Sequence, residues 1–339
     1  VGSHRRLAPS GLGRGRGATA AVLSAAAAVA AALGTVPADA APYEGPRAAV
    51  DRLYREAEQA TEAYNRAEER AGSLRRQVGQ AQDRIAREQD RVNTLREALG
   101  ALAGIQYRSG GLAPTLALLF SENPDEYLDK AAVLDRIGVR QSRQLGKLRS
   151  ALRELGQERA QVADKLAELD KSRRAVARHK KTVERKLARA QRLLNSFSFA
   201  ERAAYERASR SGGPLPGLSA AAPASGRAAA AVAAARSALG RPYVWGANGP
   251  GGFDCSGLMQ WAYARAGVGL PRTSQQQRYA GHQVPLSGAR PGDLVVYRSD
   301  ASHVAMYVGG GRVIHAPHPG AAVRYDPVGM MPVSSVIRP

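Results

Sequence analysis

The chain has 339 residues, a formal net charge of +20 and only 5% aromatic residues. That length allows one or two domains with extensions. So basic a surface favours anionic partners such as nucleic acid, anionic lipid or wall polymers. The scarcity of aromatic rings, with no nucleic-acid motif, argues against base recognition.

Residues 1–40 have the pattern of an export signal. An arginine-bearing start precedes an apolar run from Ala18 to Leu33, and Val36-Pro37-Ala38-Asp39-Ala40 follows with alanines at the small-residue positions before a cleavage point. Cleavage is expected after Ala40 or Ala41. The run is short and alanine-dominated, so it would hold poorly in a bilayer. Its four arginines and one aspartate leave +17 on the remaining chain.

From about Ala48 to Gln106 the apolar residues follow heptads. One seam runs Val50, Ala57, Tyr64, Ala71, Val78, Ile85, Val92 and Leu99. The other runs Leu53, Ala60, Ala67, Leu74, Ala81, Glu88, Leu95 and Leu102. So sustained a repeat predicts a coiled-coil helix. A second heptad helix is predicted from Leu145 to Leu194. Its seam of Leu148, Leu155, Val162, Leu169, Val176, Val183 and Ala190 is wholly apolar. Its other seam, from Leu145 to Leu194, is interrupted by Arg159, Arg173 and Lys180. These cations could snorkel or pair with Glu88 and other acids. Two such helices most simply form an antiparallel hairpin; a parallel dimer is the alternative, and oligomeric state stays open.

Between them, residues 107–137 form an insertion. Gly110-Gly111 favours a C-terminal cap, Leu112 to Phe120 is apolar, and Pro124 belongs in the first turn of a restarting helix behind Ser121 or Asn123. Local packing and a docking surface for a partner are equally good readings of this apolar tip. The stalk thus covers residues 41–207. Residues 208–226, rich in Gly, Pro, Ala and Ser, read as a flexible linker.

Residues 227–339 differ in composition, with no lysine or glutamate, eleven arginines and four aspartates. About 110 residues suffice for an independent core. A small helix is predicted over Ala228–Leu239 and another over Ser256–Ala266. Strands are predicted at Leu294–Tyr297, His303–Val308 and Arg312–Ala316. Helices first and strands after indicate an α+β domain.

Cys255 is the only cysteine, so an exported chain has no internal disulfide and keeps a free thiol. Its place at a helix N-terminus favours thiolate. His303 is the candidate base and His315 the candidate orienter, together the elements of a cysteine hydrolase. Hairpin register tests the pairing. A three-residue Gly309-Gly310-Gly311 loop puts Ala305 opposite His315, and His303 diagonally near it on one face. A two-residue turn is expected to separate the histidines. The Cys255 backbone N–H and the Tyr243 hydroxyl are candidate oxyanion donors, and Asp254 and Ser256 flank the thiol. His318, between prolines, is expected in a loop; His282 and His179 are expected at the surface. Trp245 and Trp261 are expected in the core, and Asp293 in a turn. One cysteine and two imidazoles make a poor zinc pattern, so neither metal nor cofactor is expected.

Arg241-Pro-Tyr-Val-Trp-Gly246, Phe253-Asp-Cys-Ser-Gly257, Leu270-Pro-Arg-Thr-Ser274, Arg290-Pro-Gly-Asp-Leu294, His303-Val-Ala-Met-Tyr-Val-Gly309 and Ile314-His-Ala316 resemble, in order, the motifs of NlpC/P60 cysteine peptidases. The resemblance implies a papain-like α+β core that cleaves peptidoglycan stem peptides, commonly between D-glutamate and the diamino acid. It implies Cys255 as nucleophile, His303 as base, His315 as third residue, Tyr243 near the oxyanion site, and Asp254 and Ser256 lining the cleft. The N-terminal half resembles the regulatory stalks of secreted division hydrolases, which dock to a membrane-transporter complex or cover the catalytic cleft. An amidase or acyl transferase on the same fold, and a non-catalytic wall-binding protein, are the alternatives. Secretion to the cell wall is expected, with no nucleic-acid partner.

Overall fold

The structure, a computed structural model, describes residues 45–108, 124–208 and 222–339. The expected export signal, most of the linker and the tip at 109–123 lie outside the described residues. Helix α1 spans Pro46–Arg108 and α2 spans Pro124–Asn195. Both begin on proline, whose fixed φ and missing donor suit a first turn. The short α3, Phe199–Ala208, opens with a capping box. The Ser198 and Glu201 backbone N–H groups each donate to the other residue's side chain, at 2.8 and 3.2 Å.

The two long helices run antiparallel, because contacts descend along α2 as they ascend along α1. Lys186 pairs with Glu56, Ser172 Oγ donates to the Ala67 carbonyl at 2.9 Å, and Arg84 pairs with Glu158 at 3.2 Å. On α1, Val50, Leu53, Ala57, Ala60, Ala71, Leu74, Val78, Ala81 and Val92 are buried. On α2, Leu155, Val162, Leu169, Val183 and Ala190 are buried from the all-apolar seam. The interrupted seam departs from expectation. It is left to solvent at Leu145, Leu152 and Leu166, along the stretch broken by Arg159, while Leu187 and Leu194 at its far end pack against Val50 and Leu53 of α1. Glu88 pairs with Arg91 on its own helix, and Arg159 donates to Gln89 at 2.8 Å. On the described residues that flank 109–123, Ile105, Tyr107, Leu128 and Val133 are exposed.

The C-terminal residues build α4 (Gly226–Ser237), α5 (Cys255–Arg265), α6 (Ser274–Gln277) and a six-stranded antiparallel sheet. The strands are β1 (His282–Val284), β2 (Leu294–Tyr297), β3 (His303–Gly309), β4 (Arg312–His315), β5 (Arg324–Pro327) and β6 (Val333–Arg338), in the order β1-β6-β2-β3-β4-β5. The architecture is α+β, as expected. Leu294, Val296, Val304, Met306 and Ile314 pack on α4 and α5, while Val295, Tyr297, Ala305, Tyr307 and Val313 form a second cluster. That division is the period-2 alternation of strands buried on both faces. Trp245 and Trp261 sit half-buried at the edge of the larger cluster. His282 is exposed, and Asp293 lies in the turn before β2, paired to Arg338 at 2.7 Å.

Candidate active site

Cys255 is the first residue of α5. Asp254 caps that helix, its Oδ1 accepting from the Gly257 N–H at 2.7 Å. The same carboxylate accepts from Gly246 N–H at 3.0 Å and from Arg272 at 2.6 and 3.0 Å. Asp254 therefore ties two loops to the helix start while facing the cleft. Gly257 lets the Gly246 loop come this close, since a Cβ there would meet the Ala247 carbonyl oxygen at 2.2 Å.

Across the cleft, His303 Nε2 lies 2.8 Å from His315 Nδ1. The β3–β4 ladder pairs Met306 with Ile314, which sets Ala305 opposite His315 as the pairing of the histidines requires. The loop differs from expectation. Gly309 pairs with Arg312, so the turn has two residues, Gly310 and Gly311, both at positive φ. A bulge between Tyr307 and Gly309 absorbs one residue and restores the register. A two-residue turn and neighbouring histidines therefore coexist.

His315 has a partner that sequence reasoning missed. Its Nε2 lies 2.8 Å from Asp326 Oδ2 on β5, and Arg324 donates to that same oxygen at 2.9 Å. A carboxylate accepts only, so His315 Nε2 carries the hydrogen. Burial lowers the His315 pKa to about 4, keeping the ring neutral and Nδ1 bare. His303 Nε2–H therefore donates to it, and Nδ1 of His303 is the nitrogen left for proton transfer.

That nitrogen faces the stalk. Glu58 Oε1 of α1 lies 2.9 Å from His303 Nδ1, and Glu58 Oε2 pairs with Arg298. One turn along α1, Glu62 Oε1 accepts from Ser256 Oγ at 2.7 Å and lies 3.7 Å from Cys255 Sγ, while Glu62 Oε2 accepts from Ser274 N–H at 3.0 Å. Asn65 donates to Asp254 at 3.0 Å, and Gln59 donates to Asp300 at 2.7 Å. Tyr64 meets Trp245 edge-on, and Tyr54 stacks on His318 at 4.5 Å. His318 is thus in the expected loop but covered by the stalk. Cys255, His303 and His315 are all at most 2% exposed.

The two stalk carboxylates have opposite electrostatics. Glu58 is buried, yet the His303 and Arg298 charges bring its pKa down to about 2. Burial, then Asp254, pushes Glu62 up to about 8, so it sits protonated. Burial pushes the Cys255 thiol well above its ordinary value, with Glu62, once ionised, and the Asp254 and Glu58 charges adding to it, against a smaller downward pull from the Val304 N–H. The helix start alone was expected to favour thiolate; with α1 in place, burial and carboxylates outweigh it. Tyr243, buried beside the thiol, is likewise pushed well up, first by burial and then by Cys255.

The structure thus gathers Cys255, His303, His315, Tyr243, Asp254 and Ser256 in one place. Sequence reasoning missed Glu58, Glu62, Asp326, Arg272 and Arg298. Among the described residues no cluster of His, Cys, Asp and Glu could hold a metal.

Residues 240–335 match the NlpC/P60 family. Over 118 residues the chain is 42% identical to a probable endopeptidase of Mycobacterium tuberculosis, covering 34% of this chain and 31% of the relative. It is 46% identical over 118 residues to a probable endopeptidase of Corynebacterium glutamicum, covering 35% and 56%. The chain therefore matches less than two thirds of either relative's length. The crystal structure of the NlpC/p60 domain of the peptidoglycan hydrolase SagA is 37% identical, with a TM-score of 0.32, covering 33% of this chain and 98% of that one.

Proposed function

The chain belongs to the NlpC/P60 family through its C-terminal domain, and on that premise we propose that it is an exported cysteine endopeptidase of the cell wall. Its substrate is the peptidoglycan stem peptide, cut between D-glutamate and the diamino acid. The observation that carries this reading is the line of His303, His315 and Asp326 at 2.8 Å steps, in the same buried cleft as a thiol at a helix start.

With the cleft open, His303 Nδ1 takes the Cys255 proton and the thiolate attacks the D-glutamyl carbonyl carbon. The Cys255 N–H and the Tyr243 hydroxyl stabilise the oxyanion. His303 returns the proton to the leaving amine, so the C–N bond breaks and a thioester remains. Water, deprotonated by His303, then releases the acid and restores the thiol. Asp326 and His315 keep the bare nitrogen of His303 on the side of the chemistry throughout.

The stalk restrains this enzyme. With Glu58 on His303 and Glu62 beside Cys255, both ring nitrogens of the base donate and the thiol stays protonated. A substrate needs the space that α1 fills. The exposed apolar residues at the far end of the hairpin, Ile105, Tyr107, Leu128 and Val133, support docking to an activating partner, for which a membrane-transporter or division complex is our candidate. The net charge supports retention on anionic wall polymers.

The test is mass spectrometry of purified wall fragments incubated with the protein, wild type beside Cys255→Ala. New peptides ending in D-glutamate, absent with the alanine variant, are expected. Intact fragments from a wild-type protein whose thiol is fully alkylatable would favour another acyl substrate or a binding role.

A further inference from the structure

Arg298 follows the strand residue Tyr297, which pairs with His303 across β2 and β3. Its backbone lies in the left-handed region at φ 65°, and Ala301 in the same loop has φ 52°. Non-glycine residues rarely adopt this conformation without being held there. The Arg298 N–H donates to the Pro332 carbonyl at 2.8 Å, and its Nη1 donates to Ser302 Oγ at 3.1 Å. The loop therefore spends backbone strain to aim a guanidinium at the space beside the base.

What fills that space is a carboxylate. Glu58 bridges His303 Nδ1 and Arg298 with its two oxygens, and the group is 3% exposed. Glu58 stands where a ligand's carboxylate would stand when α1 is away. Arg298 would then be left with its charge facing an open cleft, next to the atom that handles the proton. In peptide cleavage the base protonates the leaving amine, so what lies beside His303 Nδ1 belongs to the leaving residue. Glu62, one turn further on, sits on Ser256 and Ser274 at the thiol. The two stalk carboxylates thus lie on the His303 and Cys255 sides of the cleft.

We propose that Arg298 is a specificity-determining residue that binds a free carboxylate on the leaving diamino acid. This inference rests on the peptidase reading above. An acidic diamino acid such as diaminopimelate offers that carboxylate at its distal end; a stem ending at the diamino acid offers one at its α-carbon. Lysine in mid-stem offers neither. An arginine can take a carboxylate with two donors, a match that a substrate amide leaves unpaired.

The experiment compares kcat/KM of the full mature chain on four synthetic stem peptides. One carries diaminopimelate with a free distal carboxylate, one carries its distal amide, and one carries lysine, all capped with D-alanine; the fourth is the lysine peptide uncapped. Ratios between substrates are read, because loosening of α1 changes the active fraction equally for all. Wild type is expected to favour a free carboxylate at least tenfold over the distal amide or capped lysine. Arg298→Gln should bring the ratios within about twofold, and Arg298→Lys should recover part of the preference. Preference for the free distal group or for the uncapped stem identifies which carboxylate is bound. Cleavage of all peptides with ratios unmoved by Arg298→Gln would overturn the inference, leave the peptidase reading standing, and reduce Arg298 to a docking residue for Glu58. Cleavage of none by wild type and by Arg298→Gln, with the thiol reactive in both, would overturn the peptidase reading and this inference together.

Discussion

Glu58 Oε1 sits 2.9 Å from Nδ1 of His303, the ring nitrogen that His315 and Asp326 do not engage. The thiol lies within hydrogen-bond reach of Glu62 Oε1 and the Ser302 carbonyl, with the Val304 N–H also directed at it. Each half of the proposed catalytic pair is therefore engaged by a side-chain carboxyl from the same helix, four residues apart. On a helix that spacing stacks two side chains on one face, so a single segment covers both reacting atoms.

Removing these contacts should expose the thiol. Removing one partner of a buried ion pair costs about 3–5 kcal/mol, and other α1 contacts remain. Glu58→Ala should raise the rate of Cys255 alkylation by iodoacetamide at least tenfold, and Glu58→Ala with Glu62→Ala should raise it further. An unchanged rate in the double variant would show that α1 does not limit access.

Docking should weaken as the solution becomes alkaline. Glu62 is protonated up to about pH 8 when α1 is docked, while its ordinary value is 4.5. Docking takes up a proton between these values, so this stabilisation is full below pH 4.5 and is lost as pH rises through about 8. Glu58 acts oppositely: its contribution is present above pH 4.5 and lost as pH falls through about 2. Burial lowers the His318 pKa from 6.5, so acid also opposes docking through that ring. Between pH 6.5 and 8 the opposing effects of Glu58 and His318 have faded, while the proton that docking keeps on His303 Nδ1 acts in the same direction as Glu62. There, the logarithm of the alkylation rate should rise more steeply with pH in wild type than in Glu62→Gln; equal slopes in the two would refute the Glu62 linkage.

Asp326 should matter to catalysis without touching substrate. Asp326→Ala leaves His315 free to take its other tautomer, which turns His303 Nδ1 into a donor. In the Glu58→Ala, Glu62→Ala background, kcat should fall about 10- to 100-fold, by analogy with the loss of partners that orient a catalytic or metal-bound histidine. KM should change little. ¹⁵N shifts of the His303 ring should move the proton from Nε2 to Nδ1; a full kcat with unchanged shifts would remove Asp326 from the relay.

The sequence made some of this legible and hid the rest for identifiable reasons. Cys255 and His303 announced themselves through a helix start and a strand start, and the hairpin register correctly put Ala305 opposite His315. The bulge after Tyr307 was invisible because Gly309-Gly310-Gly311 permits either loop length. Asp326 was missed because β5, Arg324–Pro327, is too short and polar to signal a strand. Glu58, Glu62 and Asn65 fall outside the apolar seams of α1. A polar stripe on a long helix ordinarily faces water, and only the partner surface, about 190 to 245 residues away along the chain, makes it a buried one. The interrupted seam of α2 misled for a related reason: heptad spacing marks a stripe without saying whether a second helix covers it.

Gly257→Ala should destabilise the catalytic domain. The added methyl would meet the Ala247 carbonyl oxygen at 2.2 Å, and backbone must move to make room. Overpacking of this kind costs about 1–3 kcal/mol, so the thermal midpoint should fall by several degrees. An unchanged midpoint would mean that the Gly246 loop yields freely.

The most direct test of the account compares stem-peptide cleavage by the full mature wild type, Glu58→Ala with Glu62→Ala, and the same pair with Cys255→Ala. Release of the diamino-acid fragment should be at least tenfold faster in the double variant than in wild type, in step with alkylation, and absent when Cys255 is replaced. Equal cleavage by wild type and double variant, or cleavage that survives loss of Cys255, would contradict it.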